Sequence, residues 1–443
     1  MPSYVFLETF GCQMNDSDSK RLLSFLKNIN YIRTDSPEKA DLIILNTCTI
    51  REKAEHKVYS ALGKFKPLKY GSQHIIIAVA GCVAQQAGEA LLKKVPYLDL
   101  VIGTHNIHLI EQLLKRVSEK KERISATGFF SEMNEAEYTV ASHAEGARAL
   151  VSIMRGCDNF CSYCVVPFTR GREASRNPDD ILFEITALAK KGVIEVTLVG
   201  QNVNSFGRGT PNSFAGLLKS VLGIDGIERV RFVTSHPKDI SRELIALFAG
   251  EGKLCAHIHL PVQSGSDAVL KRMKRGYTRQ EYLDKIGLLR DARPDIAITT
   301  DIITGFPGET DADFDDTMRL IEEVRFDNNF SFMYSPRPGT VAASLEAQLP
   351  LEVKSQRLDV VQQRQREITE EINLSLVGRH TQVLIEGPGK LQSFEYTGKT
   401  SCGRVLKIIL PFDMTGKLVD VEIIEAYRNS LRGELSQRTS VCC

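Results

Sequence analysis

Arg155-Gly156-Cys157-Asp158-Asn159-Phe160-Cys161-Ser162-Tyr163-Cys164 carries three thiols in a C-x3-C-x2-C pattern, directly after a stretch that reads as a strand. Spacings this short let one loop wrap several sulfurs around a single inorganic cluster. Cysteine thiolates are the natural ligands of such iron–sulfur clusters. A cubane has four irons, so three cysteines leave one iron open to a chelating cofactor. A zinc knuckle is the competing use, with Cys161-Ser162-Tyr163-Cys164 as one half-site. It needs a second ligand pair at suitable spacing, and none follows within about 30 residues.

Cys12, Cys48 and Cys82 are scattered in the chain, but each follows a predicted strand, and about one βα unit separates each from the next. In a parallel sheet, residues just past the strand ends converge on one edge, where open α/β sheets bind ligands. Three thiols on three such loops could hold a second cluster with one open iron. The bland alternative is three unrelated buried cysteines. The flanking Gly11-Cys12, Thr47-Cys48 and Gly81-Cys82 lie in polar or Gly-containing loops, which argues against it.

The chain has 443 residues and ten cysteines, with 56 Lys plus Arg against 55 Asp plus Glu. The length implies two or three domains. With no signal-like N-terminus, disulfides are an unfavoured use for the cysteines, and a cytoplasmic location is expected. No apolar run reaches the roughly 18–20 residues that span a bilayer, so no membrane partner is expected. The balanced charge neither advertises nor excludes nucleic-acid binding, for which a local basic patch suffices.

The elements that must position these thiols follow from periodicity. Tyr4–Leu7, Leu42–Leu45, Ile75–Val79 and Leu100–Ile102 read as strands, and helices are predicted over Asp16–Ile29 and Arg51–Leu62. This is an α/β domain with a parallel sheet, predicted over residues 1–120. Ser118–Arg123 and Asn134–Arg148 read as a linker. Six further strands, Ala149–Ile153, Glu195–Val199, Arg229–Val233, His257–Leu260, Ile296–Ile303 and Asn329–Met333, alternate with helices. They suggest a partial (β/α)6 barrel over 145–373, short of the eight units of a complete barrel. After a long charged helix at Leu351–Leu376, four short strands (Thr381–Ile385, Phe394–Lys399, Arg404–Leu410, Leu418–Ala426) predict a small antiparallel β-barrel over 374–440.

The C-x3-C-x-aromatic-C loop after the first strand of a β/α barrel resembles the signature of the radical S-adenosylmethionine superfamily. The resemblance implies a [4Fe-4S] cluster on Cys157, Cys161 and Cys164, with S-adenosyl-L-methionine chelated to its open iron and cleaved to a radical. Thr9–Asn15, Asn46–Ile50 and Ala80–Gln85 resemble the N-terminal domain of the methylthiotransferases. So do Pro167–Glu173, Leu260–Ser266 and Gly305–Thr310 farther along, so the likeness covers nearly the whole chain. It implies a second [4Fe-4S] cluster on Cys12, Cys48 and Cys82 as the sulfur donor. Gly11–Asn15 and Thr49–Glu55 resemble the branch acting on isopentenyladenosine in tRNA. That implies methylthiolation of adenosine 37 in a tRNA anticodon stem-loop, an electron donor such as flavodoxin or ferredoxin, and a flipped-out base between the two clusters. The C-terminal barrel resembles the TRAM domain, an RNA-binding module, with Lys399–Arg404 a loose match. Two alternatives are a threonylcarbamoyladenosine substrate and a non-catalytic RNA-binding protein with structural metal sites.

By the same resemblance Gly305 and Gly308 line the cofactor site, as Tyr163 of the cysteine loop would. Gly200, Gln201 and Asn202 follow a strand, where their amides could bind the methionine moiety or simply form a capping turn. Arg148, Arg155, Arg170, Arg172 and Arg176 crowd the cysteine loop. They read as a solvated surface or, for Arg170 and Arg172 above all, as contacts to RNA phosphates. His257 and His259 share a strand face and read as satisfied histidines. Gly398-Lys399-Thr400 is no phosphate loop, because the first glycine that loop requires is replaced by Ser393. Cys255, Cys402, Cys442 and Cys443 read as structural or incidental.

Overall fold

The computed structural model of the chain describes residues 2–49, 52–72, 74–130, 146–250, 252–389 and 394–436. The N-terminal sheet has six strands, all parallel, running Tyr31–Arg33, Ser3–Phe10, Leu42–Thr47, Ile76–Gly81, Leu100–Ile102 and Ile124–Ala126 from edge to edge. Leu42–Thr47 and Ile76–Gly81 are buried at every residue. Their continuous apolar runs suit a sheet covered on both faces. Leu42, Ile44 and Ala78 join one core with Leu22 and Leu26, while Ile43, Leu45 and Ile77 join the other with Val58 and Leu62. The sequence foresees the four inner strands. It misses Tyr31–Arg33 and Ile124–Ala126, two edge strands of three residues each, too short to show a period. The sheet therefore runs on to Ala126, past residue 120. Most of the anticipated Asn134–Arg148 linker lies outside the described residues.

All six predicted central strands form, but as two three-stranded parallel sheets rather than one. Arg148–Ser152, Glu195–Val199 and Arg229–Phe232 make the first; His257–His259, Ala297–Thr304 and Asn328–Met333 make the second. A single bridge, Val230 with Leu254, joins them. The ladder stops there because the His257 amide turns back onto the Cys255 carbonyl at 2.8 Å. Helices cover the outside, and the 24-residue helix Leu351–Leu374 packs Val361 and Ile368 into the same core.

The C-terminal barrel is closed by five strands: His380–Pro388, Glu395–Thr400, Val405–Ile409, Leu431–Leu435 and Leu418–Ala426 in order round the ring. The expectation of an antiparallel barrel needs correcting at one seam, where Val405–Ile409 pairs parallel with Leu431–Leu435. The fifth strand explains this. A closed ring with an odd number of strands cannot alternate direction at every step. No helix among the described residues is long and apolar enough to cross a membrane.

Candidate metal centres

The strand order of the first domain places its topological switch between Ser3–Phe10 and Leu42–Thr47, the crevice where doubly wound sheets take ligands. The three inner strands end in step, with Phe10 opposite Thr47 and Thr47 opposite Gly81. Cys12, Cys48 and Cys82 follow directly at that edge. Cys12 caps the helix Gln13–Asn28, and Cys82 opens the helix Cys82–Lys94, so two helix N-termini favour negative charge there.

Two glycines permit the approach. A Cβ at Gly11 would lie 2.8 Å from the Cβ of Cys48, and one at Gly81 would lie 2.4 Å from Asn46 Oδ1. Gly81 also has φ +90°, which disfavours any side chain. A buried amide lattice fixes the loops. Asn15 Nδ2 donates to the Thr47 carbonyl at 3.1 Å, and Asn46 Nδ2 donates to the Asn15 carbonyl at 2.8 Å.

The thiols meet. Cys48 donates to both Cys12 and Cys82, which holds its own proton on well above the ordinary thiol range. Its hydrogen bond, with the Arg170 charge, pulls Cys12 down to about 6. The same hydrogen bond, again aided by Arg170, pulls Cys82 to about 7 against the effect of burial. Among the described residues no three His, Cys, Asp or Glu side chains would enclose a single metal ion. A cubane makes a different demand, because each thiolate binds a separate corner. The donor set fits it: soft thiols, a nearby cation, and two buried donors without partners, Thr49 Oγ1 and Arg170 Nη2.

The second triad lies on the loop after Arg148–Ser152. Gly156, at φ +74°, bends the chain so tightly that a Cβ would lie 2.0 Å from the Arg172 carbonyl oxygen. The Cys157 amide donates to the Gly171 carbonyl at 3.3 Å, closing the loop on itself. The Ser162 amide donates to the Met273 carbonyl at 3.0 Å, pinning the loop to the end of the helix Asp267–Arg272. Burial pushes Cys157 up to about 11 and Cys164 to about 12. Arg275 Nη1 lies 3.4 Å from Cys161 Sγ, and His236 Nε2 lies 3.9 Å from it. Burial holds His236 down to about 2, so its imidazole is neutral. These thiols fit a cluster as the first set does. Sequence reasoning missed Arg275 and His236, which lie 114 and 75 residues from Cys161. No local spacing signals them.

The remaining expected residues gather around this loop. Tyr163 packs beside Phe306, Tyr334 and Ala342, its hydroxyl 3.5 Å from Arg275 Nη1. Gln201 Oε1 accepts from the Gly156 amide at 2.6 Å. Asn202 donates to Asp239 at 2.6 Å and accepts from the His236 amide at 3.1 Å. Gly200 abuts Met154, where a Cβ would lie 2.5 Å from Cγ. Gly305 and Gly308 both have positive φ. Their amides are engaged within the protein, by Glu309 Oε1 at 2.9 Å and by the Ala347 carbonyl at 2.7 Å.

The arginines divide. Arg172 is exposed, lies 5.1 Å from the centroid of the exposed Phe160 ring, and pairs with Asp158 at 3.0 Å. Arg170 departs from the expected surface role. Its side chain is 6% exposed and turns into the N-terminal domain, onto Asp18 and Cys82, because those groups offer it a carboxylate and a sulfur in place of water. His257 and His259 both contact Thr299 Oγ1, at 3.1 and 3.0 Å. Lys399 and Thr400 sit on a barrel strand, and Cys442 and Cys443 lie outside the described residues.

Three family descriptions match consecutive parts of the chain: Uncharacterized protein family UPF0004 at residues 4–103, Radical SAM superfamily at 151–321 and TRAM domain at 374–436. The chain is 53% identical over 437 residues to a protein of Geobacter metallireducens named tRNA-2-methylthio-N(6)-dimethylallyladenosine synthase, covering 98% of each. Proteins of the same name from Geobacter sulfurreducens and Myxococcus xanthus are each 50% identical, with 98% and 97% of this chain covered and 97% and 93% of theirs. Among solved structures, the fold is similar to the radical S-adenosylmethionine methyltransferase TsrM of Kitasatospora setae. The TM-score is 0.55 at 13% identity, covering 77% of this chain and 74% of that one.

Proposed function

The chain belongs to the family of tRNA-2-methylthio-N(6)-dimethylallyladenosine synthases, radical S-adenosylmethionine enzymes, and from that premise we propose that it converts N6-isopentenyladenosine at position 37 of a tRNA anticodon stem-loop into the 2-methylthio derivative. Cys157, Cys161 and Cys164 hold the core [4Fe-4S] cluster with S-adenosyl-L-methionine, and Cys12, Cys48 and Cys82 hold a second. When bound, these groups supply a radical able to act on the unactivated C2–H bond of adenine and the sulfur that replaces the hydrogen.

The protein's own residues do the positioning. Arg275 steadies Cys161 and the Tyr163 hydroxyl while leaving the loop enclosed. Gln201 and Asn202 hold the base of that loop, and with Gly200, Tyr163, Gly305 and Gly308 they wall the cofactor side of the barrel. Exposed Arg172, stacked near Phe160, meets RNA phosphate. Residues 1–120 serve the second cluster, 145–373 the core cluster, and 374–440 the RNA. The tRNA substrate puts the protein in the cytoplasm, where a flavodoxin or ferredoxin supplies electrons.

One observation carries the reading: among three thiols from three successive βα units, Cys48 bonds both Cys12 and Cys82, and Arg170 ties Cys82 to the helix that follows the core cysteines. Anaerobic reconstitution tests it. About eight irons and eight sulfides per chain are expected, about four for each cubane, and stoichiometric zinc in their place would refute it. Loss of 2-methylthio-isopentenyladenosine from total tRNA on gene deletion, read by mass spectrometry, tests the substrate.

A further inference from the structure

We propose that Arg170 is a positioning residue for the cluster held by Cys12, Cys48 and Cys82, and that its guanidinium sets how readily that cluster accepts an electron. The proposal rests on the reading that these thiols hold a cluster. Arg170 ends the short helix Val166–Arg170 that leaves the core cysteine loop, yet its side chain belongs to the other domain. Nε lies 3.3 Å from Cys82 Sγ, and Nη1 lies 2.6 Å from Asp18 Oδ2. Asp18 Oδ1 is 3.3 Å from Arg21 Nη1, so the carboxylate is divided between two guanidinium groups. Nη2 of Arg170 is buried and has no hydrogen-bond partner in the protein, a donor left over beside the thiols.

The backbone locks this placement. Thr104 Oγ1 donates to the Thr169 carbonyl at 2.6 Å, and His105 Nε2 lies 2.8 Å from the Arg170 carbonyl oxygen. Two loop residues of the N-terminal domain thus hold the helix end from which the guanidinium reaches. The arrangement has a directional electrostatic effect. An N–H on a ligand sulfur and a nearby positive charge stabilise the more negative, reduced state of a cluster more than the oxidised state, and so raise its potential. With little water present, that influence is weakly screened. A lysine carries the charge but not the rigid fork that serves Cys82 and Asp18 together.

A full-length chain carrying Cys157→Ala, Cys161→Ala and Cys164→Ala, reconstituted anaerobically, isolates the N-terminal site. Its midpoint potential is then read by electron paramagnetic resonance during a reductive titration. Arg170→Gln is expected to keep the iron and shift the midpoint to a more negative potential. Arg170→Lys should fall between Arg170→Gln and the parent. Asp18→Asn removes a negative charge and should shift the midpoint the opposite way, which a general loosening of the site would not do. An unchanged midpoint in Arg170→Gln with iron retained overturns the proposal, as do shifts of the same sign in Arg170→Gln and Asp18→Asn. Loss of iron from all three variants overturns it too, since Arg170 would then be required for the site to exist. If the parent binds no iron, the cluster reading itself fails, and that failure is distinguishable from the others.

Discussion

At the scale of single residues, the two triads are chemically unlike although their ligand types match. Cys12 and Cys82 are pulled to about 6 and 7 before any iron arrives, whereas burial keeps Cys157 near 11 and Cys164 near 12. A thiol must lose its proton to bind iron. Near pH 8 Cys12 and Cys82 are already ionised and iron must displace the proton of Cys48, while at the core site it must displace those of both Cys157 and Cys164. Raising the pH from 7 to 9 is therefore expected to strengthen iron retention at the core site more than at the N-terminal site, as measured by chelator competition on variants with one triad each. Cys48→Ala should remove about four of about eight irons and leave the core cluster's absorbance intact. Gly81→Ala forces a Cβ against Asn46 Oδ1 at φ +90°. It is expected to cost about 1–3 kcal/mol, seen as a lower Tm, with weaker N-terminal iron binding. Cys157, Cys161 and Cys164 stand out in the sequence by spacing alone, and Cys12, Cys48 and Cys82 by their place after successive predicted strands. Arg275, His236 and Asp18 were not, because each acts through a contact made only by folding.

At the scale of elements, the strands that the sequence revealed carry a pattern of their own: a continuous apolar run where both faces are buried, as in Leu42–Thr47 and Ile76–Gly81, or alternation where one face is, as in Leu418–Ala426. Tyr31–Arg33, Ile124–Ala126 and Leu431–Leu435 escaped because pairing with a neighbour, not their own pattern, defines them. The loop Lys399–Arg404, a loose match to its RNA-binding counterpart, turns out to be a docking element. Arg229 donates to the Lys399 and Gln382 carbonyls at 2.9 and 2.6 Å, and Arg231 donates to those of Ser401 and Thr400 at 2.8 and 2.6 Å. Such charge-assisted bonds contribute roughly 1.5–3 kcal/mol each. Arg231→Ala also leaves Glu195, 3.2 Å away, without that cation. The variant is expected to loosen the barrel from the core, read as faster proteolysis between residues 374 and 380, with iron content unchanged.

At the scale of the whole molecule, the C-terminal barrel docks at the N-terminal ends of the core strands, through Arg148 with Glu386 and Arg404 with Asp327. The core cysteine loop lies at the C-terminal end of the core strand Arg148–Ser152, and the other triad at the C-terminal ends of the N-terminal sheet. Arg172 and Phe160 stand exposed on and just after the core cysteine loop, away from the docked barrel. Arg172→Ala should weaken tRNA binding and lower the slope of log affinity against log salt by about one. Phe160→Ala should weaken binding with no change in slope, since it carries no charge.

The sequence by itself determined which residues could do chemistry and where one pattern of elements gives way to the next. A local triad of thiols, a second triad repeating with the βα unit, and a late change to short strands are all written in residue type and spacing. Tertiary structure decided how these parts face one another. Arg170 read as a surface arginine among five, and only the folded chain turns it inward onto Asp18 and Cys82. The physical reason is that periodicity records whether a position is buried, but not which distant group will stand across from it.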